Sequence, residues 1–343
     1  MPHTFATTDV EEIARDLIDA FELVFEEQEQ NLCDPIIRWL DYRLRYIEPK
    51  PRQILRSEGF NTRVSNEALP ALEAFIKLAN DGADLNPFQT KTIRQNDTSG
   101  AKRQLRTDGL WADWGIHHAH LTESLVATGS AFSARSEWVL FFLMLDNQVA
   151  FIDVRSHKEP GIFQAIDLVE KAIRSWPEFA QAWKLKGVIS LGRSPITDAQ
   201  SVKNLRLGGV TQMLEVDGVA YMPPGLGVTT AATSTQVSLK RNRTRQLARH
   251  IEQFLSQPGG PLMKAATKKG IGNPSLSLGV LPSGRLAVIC PEAEFYFEFP
   301  LDENPSNPYS ELEYLLLPKW AREKLVIYLS EKQATANTIP HLK

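Results

Sequence analysis

Cysteine is nearly absent from this chain of 343 residues: Cys33 and Cys290 stand far apart and belong to no CxxC pattern. That excludes a disulfide-stapled scaffold and a thiolate zinc site, and a reducing cytoplasm is expected. No run approaches the roughly 20 apolar residues that a membrane span needs. The opening MPHTFATTDVEEIARD lacks the basic and apolar stretches of a secretion signal, so a cytoplasmic protein with no membrane partner is expected. An excess of one charge is missing too. With a formal net charge of −3 the whole molecule is no polycation, and any grip on nucleic acid must come from local patches. Pro223-Pro224-Gly225-Leu226-Gly227 is Gly-rich but lacks the Lys-Ser/Thr of a phosphate loop. No nucleophile-elbow motif surrounds Ser124, Ser130 or Ser136, and no solenoid-period repeat is present.

What is there reads as an α+β protein: N-terminal helices, an antiparallel β-meander with a flanking helix, and a second α+β domain. The length allows two or three domains, and the composition shifts place them at 1–108, 109–200 and 201–343. Ile13, Leu17, Phe21 and Val24 recur at helical spacing and predict a helix over 9–31. Further helices are expected at 35–46 and 67–81. IEPKPRQILR carries two prolines and reads as an extended connection. Residues 82–108 are polar and rich in Asn, Asp, Gly and Thr, and read as a mobile basic loop. Strands follow at 115–121, 138–145 and 149–156, then a helix over 162–176. Beyond 203, alternation and turn signals predict strands, a basic helix at 243–256, a second strand group, and a final helix at 310–331 that Pro318 kinks or splits.

The strongest chemical signal is WADWGIHHAHL, where three of the seven histidines fall within four residues. Histidine is the side chain whose ordinary pKa lies nearest neutral pH. Along the first strand His118 and His120 share one face with Ile116, and His117 shares the other with Ala119 and Leu121. Along the third, Ala150, Ile152 and Val154 form an apolar set, while Asp153, Arg155 and His157 point the opposite way. The expected arrangement buries the apolar set and leaves His118, His120, Asp153, Arg155 and His157 on an open sheet face. A one-residue slip would exchange the two sets. Such a face suits phosphodiester cleavage without metal: one imidazole takes the proton from a ribose 2′-hydroxyl, another protonates the leaving 5′-oxygen, Arg155 stabilises phosphate charge and Asp153 orients a histidine. The same HxH pair with a further His and Asp is also a reasonable zinc or iron ligand set. Arg103 and Arg106 in the preceding loop, Arg135 before the second strand, and Arg241, Arg243 and Arg245 in the basic helix are candidate substrate contacts. The last three pair equally well with the acidic N-terminal helix.

The order Thr107-Asp108-Gly109-Leu110, then WGIHHAHL, WVLFFLML, a tight turn, VAFIDVRSH and a helix resembles the RelE/ParE-type (HigB-like) toxin module over residues 105–176. The resemblance implies an mRNA-cleaving site on the sheet, with His118 and His120 at the functional strand positions, Arg135 as the basic residue before the second strand, and Arg155 and His157 at the end of the third. The chain departs from that family in its size, its long first loop, its extra domain and its lack of a strong basic charge. The resulting expectation is a metal-independent endoribonuclease, a toxin or phage-defence effector, with RNA and an antitoxin or regulatory protein as partners and no cofactor. The alternatives are a non-enzymatic nucleic-acid-binding or regulatory protein, and a metal-dependent hydrolase or oxygenase using the same histidines.

Overall fold

A computed structural model describes residues 5, 8–28, 32–102, 106–124, 126–188, 198–272, 274–300 and 307–338. The fold is mixed α+β, and the chain divides into two compact units. One comprises residues 44–96 and 100–236, and the other residues 1–43, 97–99 and 237–343.

The first of these units is built on a sheet of four strands: β1 (Gln53–Arg56), β2 (Ile116–His120), β3 (Trp138–Met144) and β4 (Gln148–Ser156), in the order β1-β4-β3-β2. β2, β3 and β4 form the expected meander. β1, expected as an extended connection, is a strand and runs parallel to β4. Pro49 and Pro51 keep the approach extended, and the proline-free QILR behind them donates to the ladder. The pairing of β3 with β4 slips between Phe141 and Phe142: Phe141 faces Asp153, Phe142 faces Phe151, and Ile152 is the extra residue of a bulge. The simple alternation expected along β4 is broken there. Phe151 and Val154 join Leu140 and Phe142 against Leu72 and Phe75 of the helix Leu69–Asp81. Ala150 and Ile152 join Val139 and Phe141 against Leu168, Val169 and Ile173 of the helix Ile166–Ser175. Both faces of the sheet are therefore covered. Each large apolar side chain buried this way contributes about 1.5–3 kcal/mol.

Residues 82–102 are not one loop. They include a 3₁₀ turn, Asn86–Phe88, and a short helix, Thr92–Gln95. The Asn side chains that favour loops are here used inward: Asn86 accepts from the Ile47 N–H at 2.8 Å and donates to the Ile47 carbonyl at 2.7 Å. β2 is entered through a helix, Gly109–Trp114, rather than a plain turn, because Asp108 caps its N-terminus and Gly115, at φ +67°, ends it. Downstream, Asp198 caps a helix Ala199–Gly208 where strands were expected, and β5 (Leu214–Val216) and β6 (Val219–Tyr221) follow as a hairpin.

The other unit carries an antiparallel sheet, β7 (Ser277–Val280), β8 (Leu286–Cys290) and β9 (Phe295–Glu298). Its N-terminal helix is Thr8–Ala20, shorter than expected, because Glu22 adopts a left-handed φ of 54°. The basic segment lies in a longer helix than expected, Thr235–Leu255. The C-terminal pattern is split at Pro318 into Pro308–Leu316 and Lys319–Thr338. Among the described residues no helix is long and apolar enough to cross a membrane.

Candidate functional site

Strand pairing brings three of the predicted histidines together. His118 lies opposite Phe141, which faces Asp153 on the far side, and His120 lies opposite Val139, which faces Arg155; the histidines and the Asp/Arg pair are thus in line with one strand between them. His157 follows the end of β4, and its backbone N–H donates to the Glu137 carbonyl at 2.5 Å. This places its ring over His120, with centroids 5.4 Å apart and planes 17° from parallel. Phe163, in the 3₁₀ turn Ile162–Gln164, closes the cluster: its ring is 4.9 Å from His118 and stands edge-on to His157 at 5.8 Å. His118 Nδ1 is 3.2 Å from a carboxylate oxygen of Asp108, whose other oxygen accepts the Leu110 and Trp111 N–H groups. One residue thus caps the helix and orients the imidazole.

The face that carries this cluster is not open. His118 is 8% exposed and Asp153 3%; His120 is half-buried and His157 exposed. The turn at 162–164 and the helix Ile166–Ser175 lie over the region expected to face solvent. Burial, then the neighbouring His118 and His157 rings and the charge of Arg135, push His120 down to about 4. A hydrogen bond to the Ser136 backbone acts the other way without restoring the ordinary value, so the ring is neutral at pH 7, and among the described residues its buried Nδ1 has no hydrogen-bond partner. Burial pushes the Asp108 carboxyl up, but His118, Arg45 and the Trp111 N–H outweigh it and hold the group below the usual carboxylate range. His117 lies on the opposite side, stacked on Phe142 at 5.6 Å with Nδ1 3.3 Å from Gln89 Oε1, and burial with nearby Arg45 pushes it down to about 3.

Asp153 and Arg155 belong to a different arrangement beside the histidines. Asp153 is the hub of an ion network, bound by Lys171 at 2.6 Å and by Arg63 and Arg155 at 3.2 Å. Arg155 spends its remaining donors on Glu159 at 3.0 Å and on Asp167. Three cations face three carboxylates, so no net positive charge is left for a phosphate. Burial alone would lower the Arg155 guanidinium, and the carboxylates Asp167, Asp153 and Glu159 more than offset it. Arg106 is likewise committed internally, donating to the Gly100 and Ala231 carbonyls. Arg103 lies outside the described residues. Arg135 is exposed beside the cluster, near enough for its charge to act on His120. Arg241, Arg243 and Arg245 sit in the other unit, each on a carboxylate: Asp34 at 2.6 Å, Glu311 at 2.8 Å, and Glu11 with Asp34 respectively. The pairing with the acidic N-terminal helix, one of the two roles weighed for them, is present through Glu11.

The sequence reading passed over Asp108 and Phe163. Asp108 did leave a signal, since an Asp before Gly-Leu-Trp is a good N-cap, but that pattern does not announce a histidine partner. Phe163 left none. As for metal, near-parallel rings direct the in-plane lone pairs of His120 and His157 side by side rather than to one point. Among the described residues no group of three or more His, Cys, Asp or Glu side chains is arranged to hold an ion. No family model, curated protein or solved structure matches the chain.

Proposed function

We propose that His118, His120 and His157 form the acid–base centre of a metal-independent endoribonuclease. The observation that carries this reading is the stacked pair: a recessed, neutral His120 against an exposed His157. His120 is suited to take the proton from a ribose 2′-hydroxyl. The 2′-oxygen then attacks the adjacent phosphorus, the bond to the 5′-oxygen breaks, and His157 protonates that leaving oxygen, giving a 2′,3′-cyclic phosphate and a free 5′-hydroxyl. Asp108 holds His118 in one tautomer beside the pair. Arg135, exposed beside the pair, contacts the phosphate in place of Arg155, whose charge is spent on carboxylates. Asp153 and Arg155 anchor β4 and do no chemistry. RNA is the substrate, and the cytoplasm is where such an enzyme meets it. An unrestrained activity of this kind damages its own cell, which fits a toxin or defence effector held by an antitoxin or regulatory protein.

The experiment is incubation of the purified chain with a mixed-sequence single-stranded RNA, followed by analysis of the new ends. Cyclic-phosphate ends that disappear in His120→Ala are expected. Intact RNA with the wild-type chain, or full activity in His120→Ala, contradicts the proposal.

A further inference from the structure

The Gly109–Trp114 helix carries two buried or nearly buried carboxylates that do different things. Asp108, its N-cap, holds His118. Asp113, near its end and 7% exposed, receives Arg206 Nε at 2.7 Å. Arg206, from the helix Ala199–Gly208, lies across Gly109, where a Cβ would come within 2.9 Å of its Cδ. Its Nη1 goes on to the Phe163 carbonyl at 2.8 Å. Phe163 is the residue whose ring rests on His118 and stands edge-on to His157. The contacts therefore close a circuit: His118 to Asp108, along one short helix to Asp113, through Arg206 to Phe163, and back to His118.

The Gly-rich loop at 223–227, which no phosphate chemistry claimed, braces the same helix. Gly225 N–H donates to the Asp113 carbonyl at 2.9 Å and Gly227 N–H to the Ala112 carbonyl at 3.2 Å. A Cβ on Gly225 would stand 2.0 Å from the Ala112 oxygen, so only glycine permits the approach.

We infer that Arg206 is a positioning residue for the histidine cluster: it binds Asp113, and so fixes the short helix that Asp108 caps, and it binds the Phe163 carbonyl, so that His118 keeps one tautomer and His157 keeps its place over His120. Two planar donors in one guanidinium reach both targets, which a single ammonium does not. Displacement of reacting groups by about 1 Å costs up to about 10²-fold in rate. The rate consequence rests on the ribonuclease reading above; the geometric claim does not.

The test uses the full chain with ¹⁵N-labelled histidine. Long-range proton–nitrogen spectra report the tautomer and titration of His118 and His157, assigned by single substitution. Asp113→Asn combined with Arg206→Gln removes the ion pair without leaving either charge buried alone. The expected result is a changed His118 tautomer pattern and an RNA cleavage rate lowered about 10–10²-fold at unchanged KM. Arg206→Lys, which keeps a cation for Asp113 but loses the fork, should fall in between. Histidine spectra that superimpose on the wild type overturn the inference. The urea midpoint of each variant guards against loss of folding, and a folded Arg206→Lys protein whose His118 and His157 signals superimpose on the wild type overturns the inference by itself. If the spectra shift while the wild-type chain cuts no RNA, the positioning role stands and the ribonuclease reading fails. If the wild type cuts and the spectra stay put, the reverse holds.

Discussion

Asp153→Ala separates a structural carboxylate from a catalytic one. Asp153 is 3% exposed and binds Lys171, Arg63 and Arg155 together. Its removal leaves those three cations crowded around the space it filled, with only Asp167 and Glu159 to balance them. Breaking a buried ion pair by deleting one partner typically costs about 3–5 kcal/mol, because the remaining charge is stranded away from water. A domain has only about 5–15 kcal/mol in all. With a urea slope of about 2 kcal/mol per molar, the transition of the unit that holds the histidines should move down by roughly 2 M. Tryptophan fluorescence can follow it through Trp111, Trp114 and Trp138. RNA cleavage by the fraction that remains folded should change little. Lost cleavage with an unmoved urea midpoint would instead place Asp153 in the chemistry.

The pH dependence follows from the lowered histidines. His117 and His120 are held neutral, at about 3 and about 4 against an ordinary 6.5, so the unfolded chain binds protons between those limits while the folded chain does not. Their stabilising contribution is complete above about 6.5 and is lost as pH falls through 4 and 3. A series of urea midpoints from pH 8 to 3 should decline across that window, and a flat profile would count against buried neutral imidazoles. Arg241, Arg243 and Arg245 replaced by Ala should destabilise their unit, since all three are paired. The log–log salt slope of RNA binding should stay where it was, and a flattening of two units would show that they contact the backbone. Arg135→Ala should instead reduce that slope by about 0.7, the value for one contact to a single strand; an unchanged slope removes Arg135 from the substrate site.

Much of the sheet was legible because its strands obey simple rules. IHHAH, WVLFFLM and QVAFIDVRS are bounded by turn residues, and their pairing sets His118 and His120 on the same side as Asp153 and Arg155. The bulge at Ile152 was not legible, since nothing in a run of apolar residues marks where one is unpaired. It is the bulge that sends Phe151 and Val154 to the same face. Cover over the site was hidden for another reason. Whether a polar strand face meets water depends on a 3₁₀ turn and a helix that arrive from residues 162–175, and periodicity in the strand carries no information about them. The fate of Arg155 was hidden similarly: Asp167 and Lys171 sit one turn apart on a helix, an ordinary exposed pair by sequence, yet they meet Asp153 and Arg155 across the sheet. The basic run at 241–245 read equally as a polyanion-binding surface and as a partner of the acidic N-terminal helix, because the carboxylates it meets, Glu11, Asp34 and Glu311, are far away in sequence.

If His120 is the general base of an RNA-cleaving site, its removal must slow cleavage without unfolding the protein. A short single-stranded RNA is incubated at pH 7 with the purified chain and with His120→Ala, and the ends and single-turnover rates are compared, with the urea midpoint of each protein as a control on folding. The wild type is expected to give 2′,3′-cyclic phosphate ends, and the folded variant a rate about 10²–10⁴-fold lower. Cleavage that leaves 5′-phosphate ends, or a folded His120→Ala protein that cuts as fast as the wild type, would contradict that role.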